Sequence, residues 1–179
     1  MDKIIKSDLS TISIYHYPFS PLVNDKIANF IKSIGDFQNC STNVKAIMTD
    51  WNITSPEIEE LEKWIFEKVY LKEPKLRNLL CMRDCWGVVY NKENFTLEHN
   101  HSPAYLSFVY FLRSSKKASP LCFKSSKLKI NPEPGKIIIF PSHLIHYVPP
   151  QKDDSERIIL SGNIVAKSDK FGDSSGTVH

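Results

Sequence analysis

A chain of 179 residues fits one domain and can bury a core without disulfide staples. Its 41% hydrophobic and 24% charged residues exclude a wholly disordered chain. A net charge of +3 gives no basis for nucleic-acid binding, which needs a concentrated basic face. No apolar run approaches the ~20 residues of a membrane-crossing helix, so no membrane partner is expected. Asp2, Lys3, Lys6 and Asp8 put charge where a secretory leader needs an apolar stretch, and the expected location is the cytoplasm.

Ile12 to Tyr17 alternates and predicts a short strand. Ser20-Pro21 then opens a helix, with Ser20 as N-cap and Pro21 at the first helical position. Val23, Ile27, Phe30, Ile31 and Ile34 share one face, and Gly35 closes the element. Residues 36–54 are polar and irregular. A second helix starts at Ser55-Pro56, with acidic residues at its positive end. Ile58, Leu61, Ile65 and Val69 form its apolar stripe, and Pro74 ends it.

From about residue 80 the pattern turns to short β-rich runs: 86–90, 105–112, 121–124, 136–140, 146–148 and 157–165. Turn residues such as Pro134-Gly135 and Pro149-Pro150 separate them, which predicts a sandwich or barrel. The domain is expected to span 1–166, with N-terminal helices packed on a C-terminal barrel and a flexible polar tail over 167–179. Cys40, Cys81, Cys85 and Cys122 read as free thiols. Cys81 and Cys85 would lie roughly 13 Å apart on one strand, and no Cys-x2-Cys pair suggests a zinc site.

Four of six histidines fall between His99 and His146. In an extended His99-Asn100-His101 segment the two imidazoles point the same way. Neutral imidazole is a common ligand for iron, zinc, copper and nickel. His146, arriving from a distant strand, offers a third ligand and leaves one side of a metal open, as a catalytic ion requires. The alternative is that the pair are ordinary hydrogen-bonded histidines. Arg157 follows 11 residues after His146 and shares a strand face with Ile159, Ser161 and Asn163. Inside a barrel its guanidinium needs an anion, and a carboxylate matches its fork. Otherwise it is a surface group paired with Glu156 or Asp154.

The ordered set His99-Asn100-His101, then Phe140-Pro141-Ser142 with His146, then Glu156-Arg157 and Ser161-Gly162-Asn163 resembles the iron(II)/2-oxoglutarate oxygenases. The likeness is closest to a group found in phage and bacterial genomes and related to prolyl hydroxylases. Gly135 to Ser142 resembles that group's Gly-x-x-x-x-Phe-Pro-Ser run, and Thr49-Asp50-Trp51 its Thr-x-Trp segment before the long helix. Trp86 to Tyr90 resembles the strand before the first ligand, and Ser107 to Leu112 the strand after it. The likeness covers roughly residues 45–166.

The resemblance implies a mostly β fold with flanking α-helices, a double-stranded β-helix of jelly-roll or cupin-like type. It implies iron(II) held by His99, His101 and His146, which are also the catalytic residues, with 2-oxoglutarate as cosubstrate and O2 as oxidant. The far carboxylate would meet Arg157 and Ser161, and Tyr90, Tyr110 and Asn163 complete the candidate cosubstrate pocket. The implied substrate is a peptide, protein or small molecule, and a phage-encoded copy would act in the host cytoplasm. A homo-oligomer is compatible with the sequence. The chain departs from the family where His101 replaces the usual carboxylate, where Phe111 stands at the position of a Tyr with Tyr110 beside it, and where Ile159 replaces a Ser. Two other readings are a three-His cupin-type dioxygenase without oxoacid and a non-enzymatic jelly-roll binding protein.

Overall fold

The computed structural model describes residues 3–7, 10–35 and 42–167. Cys40, His179 and the tail from 168 lie outside the described residues. The elements, in chain order, are β1 (Lys3–Ser7), β2 (Ser10–His16), α1 (Ser20–Ile34), β3 (Val44–Lys45), β4 (Ile47–Met48) and α2 (Pro56–Lys72). A short 3-10 turn (Pro74–Leu76) leads into β5 (Leu80–Tyr90), β6 (Phe95–His99), β7 (Leu106–Arg113), β8 (Leu121–Phe123), β9 (Lys129–Ile130), β10 (Lys136–Pro141), β11 (His146–Val148) and β12 (Arg157–Ala166).

These strands form two antiparallel sheets. The major sheet has the order β1-β2-β10-β7-β12-β5-β4 and the minor sheet β3-β6-β11-β8-β9. Two helices and two antiparallel sheets make the mostly β fold expected, but the barrel does not begin at residue 80. β2 pairs with β10, so an N-terminal strand belongs to the major sheet. The sequence also hid β3 and β4 inside the stretch read as irregular. Two-residue strands carry too little periodicity to be seen.

Alternation decides what each strand buries. Tyr110, Leu112, Ile137, Ile139, Ile158 and Leu160 face the helices, in one core with Ile27, Ile31, Ile58, Leu61 and Ile65. Val109, Phe111, Ile138, Phe140 and Ile159 point the other way, between the sheets, with Leu121, Phe123 and Val148 of the minor sheet. With both faces covered, Ile137 to Phe140 reads as an unbroken apolar run.

The helices begin differently. Ser55 caps α2 as expected, its hydroxyl accepting from Ile58 N at 3.3 Å. Ser20, expected as the cap of α1, is instead its first residue, and Phe19 stands before it with no side-chain cap. Gly35 follows α1 in extended conformation and donates to Ile31 O at 2.9 Å. α1 presses on β5 at Gly87, where an added Cβ would lie 2.4 Å from Ile31 Cγ1. Thr49 clamps the same point, its Oγ1 accepting from Gly87 N at 2.9 Å. Cys81, Cys85 and Cys122 are free thiols. No described helix is long and apolar enough to cross a membrane.

Candidate metal centre

β6 and β11 lie side by side, and their register sets His99 opposite His146. The ring centroids of this pair are 4.3 Å apart. β6 ends at His99, so His101 is not held by strand pairing. Its backbone N–H donates to Ser142 O at 2.8 Å, which ties this loop to the residue after β10. His101 sits 4.8 Å from the His99 ring and 5.1 Å from the His146 ring, centroid to centroid. One ligand nitrogen from each of the three lies within 4.8 Å of the other two, a spacing that suits one shared ion.

The hydrogen bonds define the tautomers. His99 Nδ1 donates to Leu97 O at 2.8 Å and His146 Nδ1 to Leu144 O at 2.9 Å. Both rings thereby keep an Nε2 lone pair for a metal, the usual way a backbone carbonyl orients a ligating histidine. Burial lowers the basicity of all three. His101 is pushed down to about 3 by desolvation, then by His99 and Arg83. Neutral imidazole is the form that binds metal.

The same cavity holds Trp86, Tyr90, Thr96, Arg157 and Ser161. Arg157 is 0% exposed, and none of its three guanidinium nitrogens has a hydrogen-bond partner. Its carbon lies 4.5 Å from the Tyr90 ring centroid and 5.3 Å from that of Phe111. Desolvation lowers its pKa, opposed by the nearby Tyr90 hydroxyl. That hydroxyl is itself engaged with Thr96 Oγ1 at 2.6 Å and makes no well-formed bond to the guanidinium. An unpaired buried charge is costly, so this pocket is built for an anion.

The surface alternative for Arg157 does not apply. Glu156 pairs with Lys32 and Arg113, and Asp154 with Lys92. Two expected pocket residues need correction. Tyr110 points to the helix side and donates to Asn24 Oδ1 at 2.5 Å, because it is one residue out of phase with Phe111. Asn163 accepts from Ser107 Oγ at 2.7 Å and donates to Asp84 Oδ1 at 2.6 Å, so its amide is spent in the sheet. His143 is exposed and stands apart, and His16 pairs with Glu133 on the surface.

Sequence reading missed Thr96. Thr96 is out of phase with His99 by simple alternation. A register irregularity sets His99 against His146 but Thr96 against Val148, and brings both inward. Trp51 is 45% exposed and packs edge-on against cavity-lining Trp86 at 4.6 Å.

Two facing sheets with three imidazoles and a buried guanidinium between them define a double-stranded β-helix whose mouth carries a histidine cluster that could hold a metal. Residues 124–163, which include His146, Arg157, Ser161 and Asn163, match the family described as "Putative 2OG-Fe(II) oxygenase". No curated protein matches the sequence at a significant level. Among solved structures, the chain is similar to the viral collagen prolyl hydroxylase of Paramecium Bursaria Chlorella virus-1 in its 2OG complex. That pair shares 16% identity and a TM-score of 0.64, over 86% of this chain and 94% of the other. A Trichoplax adhaerens prolyl hydroxylase, in complex with a hypoxia inducible factor peptide fragment, gives 16% identity and a TM-score of 0.70 over 89% and 85%. HygX from Streptomyces hygroscopicus, with nickel, 2-oxoglutarate and hygromycin B bound, gives 8% and 0.62 over 87% and 83%. At these identities the structural likeness is one of fold, and that fold is shared with 2-oxoglutarate oxygenases.

Proposed function

We propose that this chain is an iron(II)/2-oxoglutarate-dependent oxygenase that hydroxylates a peptide, protein or small molecule. His99, His101 and His146 are the metal ligands in this reading, and Arg157 with Ser161 anchors the cosubstrate. The observation that carries it is the buried, unpartnered Arg157 in the same cavity as the three imidazoles. A cupin-type dioxygenase without oxoacid gives that guanidinium no work.

The residues present suit the groups the family uses. When bound, iron(II) with 2-oxoglutarate and O2 supplies oxidation of a substrate C–H bond coupled to decarboxylation of the oxoacid. The chain's own part is geometric and electrostatic. Leu97 O and Leu144 O hold the rings of His99 and His146. The fork of Arg157 would take a carboxylate, with the Ser161 hydroxyl as a further donor in the same cavity. The Tyr90 and Phe111 rings lie 4.5 and 5.3 Å from the guanidinium carbon and favour its charge by cation–π contact. Apolar Val88, Val109, Phe140 and Ile159 line the cavity and limit water. Among the structures of similar fold, one was solved with a hypoxia inducible factor peptide fragment and one with hygromycin B bound, which keeps both a peptide and a small molecule open as the substrate class.

The test is oxoacid turnover. Iron-loaded protein should convert 2-oxoglutarate to succinate, and Arg157→Ala should lose this while retaining metal. Metal binding without any oxoacid affinity would leave the cupin-type reading standing instead.

A further inference from the structure

Both helices pack on the major sheet, in one core with Tyr110, Ile137 and Leu160, and neither covers the outer face of the minor sheet. The register shows what stands on that face. Tyr147 pairs with Cys122, and Cys122 with Lys129, so the three form one row across β11, β8 and β9. The neighbouring row, His146 with Phe123, points between the sheets, and alternation turns the first row outward. With Glu98, Lys124 and Lys127 that row lines a hollow of about 340 Å³. The charge of the hollow is one-sided. Glu98 is engaged by Lys124 at 2.5 Å, and Lys127 and Lys129 have no acidic partner among the described residues. Residues 99–132 include six lysines and arginines and no aspartate or glutamate, so this stretch offers no acid to neutralise them. Leu97, beside Glu98 on β6, and Ile145, just before β11, are 47% and 36% exposed, which leaves apolar surface bare as well.

We propose that the outer face of the minor sheet docks a short, extended, acidic segment of another protein. Charge complementarity names the occupant. Lys127 and Lys129 take carboxylates, and an apolar side chain of the segment covers Tyr147 and the exposed leucine and isoleucine. β9 is the last strand of the minor sheet, so one side of its backbone is open to a further strand, the way an extended peptide joins a sheet. A nucleic acid would need a basic face that follows many phosphates, whereas two free lysines in one hollow match two carboxylates. The surface is the reverse side of β6 and β11, whose inner side carries His99 and His146, and it shares no lysine with the candidate metal centre. The proposal therefore stands whether or not the oxygenase reading does.

The experiment uses the full chain and, as probe, a short fluorescein-labelled glutamate peptide with a central leucine, followed by anisotropy at low salt. Binding should saturate with a dissociation constant on the order of 100 μM or tighter. Lys127→Glu combined with Lys129→Glu should weaken it about tenfold or more, because two attractions become repulsions. Lys116→Glu combined with Lys117→Glu makes the same change of net charge on the loop before β8, outside the hollow, and should leave the affinity within about twofold. Equal weakening by both pairs overturns the proposal, since net charge alone would then hold the peptide. Tighter binding of a labelled oligothymidylate of the same charge overturns it in favour of nucleic acid. All four lysines are exposed, and thermal midpoints of the variants check that they fold. Should a variant fail to fold, the wild-type titration decides alone, because an unsaturable response there overturns the proposal equally.

Discussion

His99 and His146 stand directly opposite each other across β6 and β11, with ring centroids 4.3 Å apart. They are 47 positions apart in the chain, and a single ladder rung fixes their spacing. Each Nδ1 donates to the carbonyl two residues before it, Leu97 and Leu144 respectively.

His99→Ala and His146→Ala should each cost metal affinity more than the about 10–100-fold that loss of an outer-shell partner costs. His143 is exposed and cannot substitute. Titration of manganese(II) or cobalt(II) by calorimetry checks this, and undiminished binding in both variants would move the centre elsewhere.

Arg157→Met should act in opposite directions on folding and on binding. The ligand-free protein loses a buried charge without hydrogen bonds and keeps an apolar chain of similar reach, so its thermal midpoint should hold or rise. The 2-oxoglutarate affinity should fall about 30- to 5000-fold, equivalent to 2–5 kcal/mol. A large loss of stability with intact oxoacid binding would mean that the guanidinium is structural.

Metal binding should resist acid. An ordinary imidazole, half-protonated near pH 6.5, loses about tenfold in metal affinity at pH 5.5, so three would lose roughly 1000-fold. Here burial holds all three histidines below that value, His101 at about 3, and protons compete far less. Between pH 7 and 5.5 the affinity should therefore drop by much less than 1000-fold. The sign for folding is the same. Because the folded-state values are depressed, the unfolded chain takes up more protons as pH falls below 6.5, and the metal-free protein loses stability on the acid side. A 1000-fold loss of metal affinity at pH 5.5 would show that the rings titrate normally.

Gly162→Ala should destabilise by about 1–3 kcal/mol through overpacking. Its Cβ would lie 2.6 Å from Phe108 Cε1 and 2.7 Å from the backbone oxygen of Asp84. The second contact is with a paired strand that cannot step aside. An unchanged thermal midpoint would contradict the packing at this crossing.

The histidine cluster is legible in the sequence because its members sit in ordered motifs with an arginine at strand spacing behind them. Arg157 and Ser161 share a face of β12 as alternation requires, and both line the cavity. Alternation misleads where the ladder is irregular. Thr96 escapes notice because β6 spends one residue more than β11 between the paired positions. The resemblance implies a pocket Tyr near Phe111, but the phase of Tyr110 along β7 sends it to the helices. Asn163 has the right phase, but partners on the adjoining strands, Ser107 and Asp84, take its amide, and no pattern within one strand reveals them.

The histidines of the candidate metal centre stand on the minor sheet and the loop after β6, whereas Arg157, Ser161 and Tyr90 stand on the major sheet. A molecule held at one end by the ion and at the other by the guanidinium is therefore a cross-brace between two layers joined elsewhere by apolar side chains. Its binding energy is added to the cohesion of the sandwich, by about 2.7 kcal/mol at a hundredfold excess over its dissociation constant. On the proposed reading the cosubstrate would be this brace, and exchange of backbone amides in β11 and β12 should slow together when both ends are occupied.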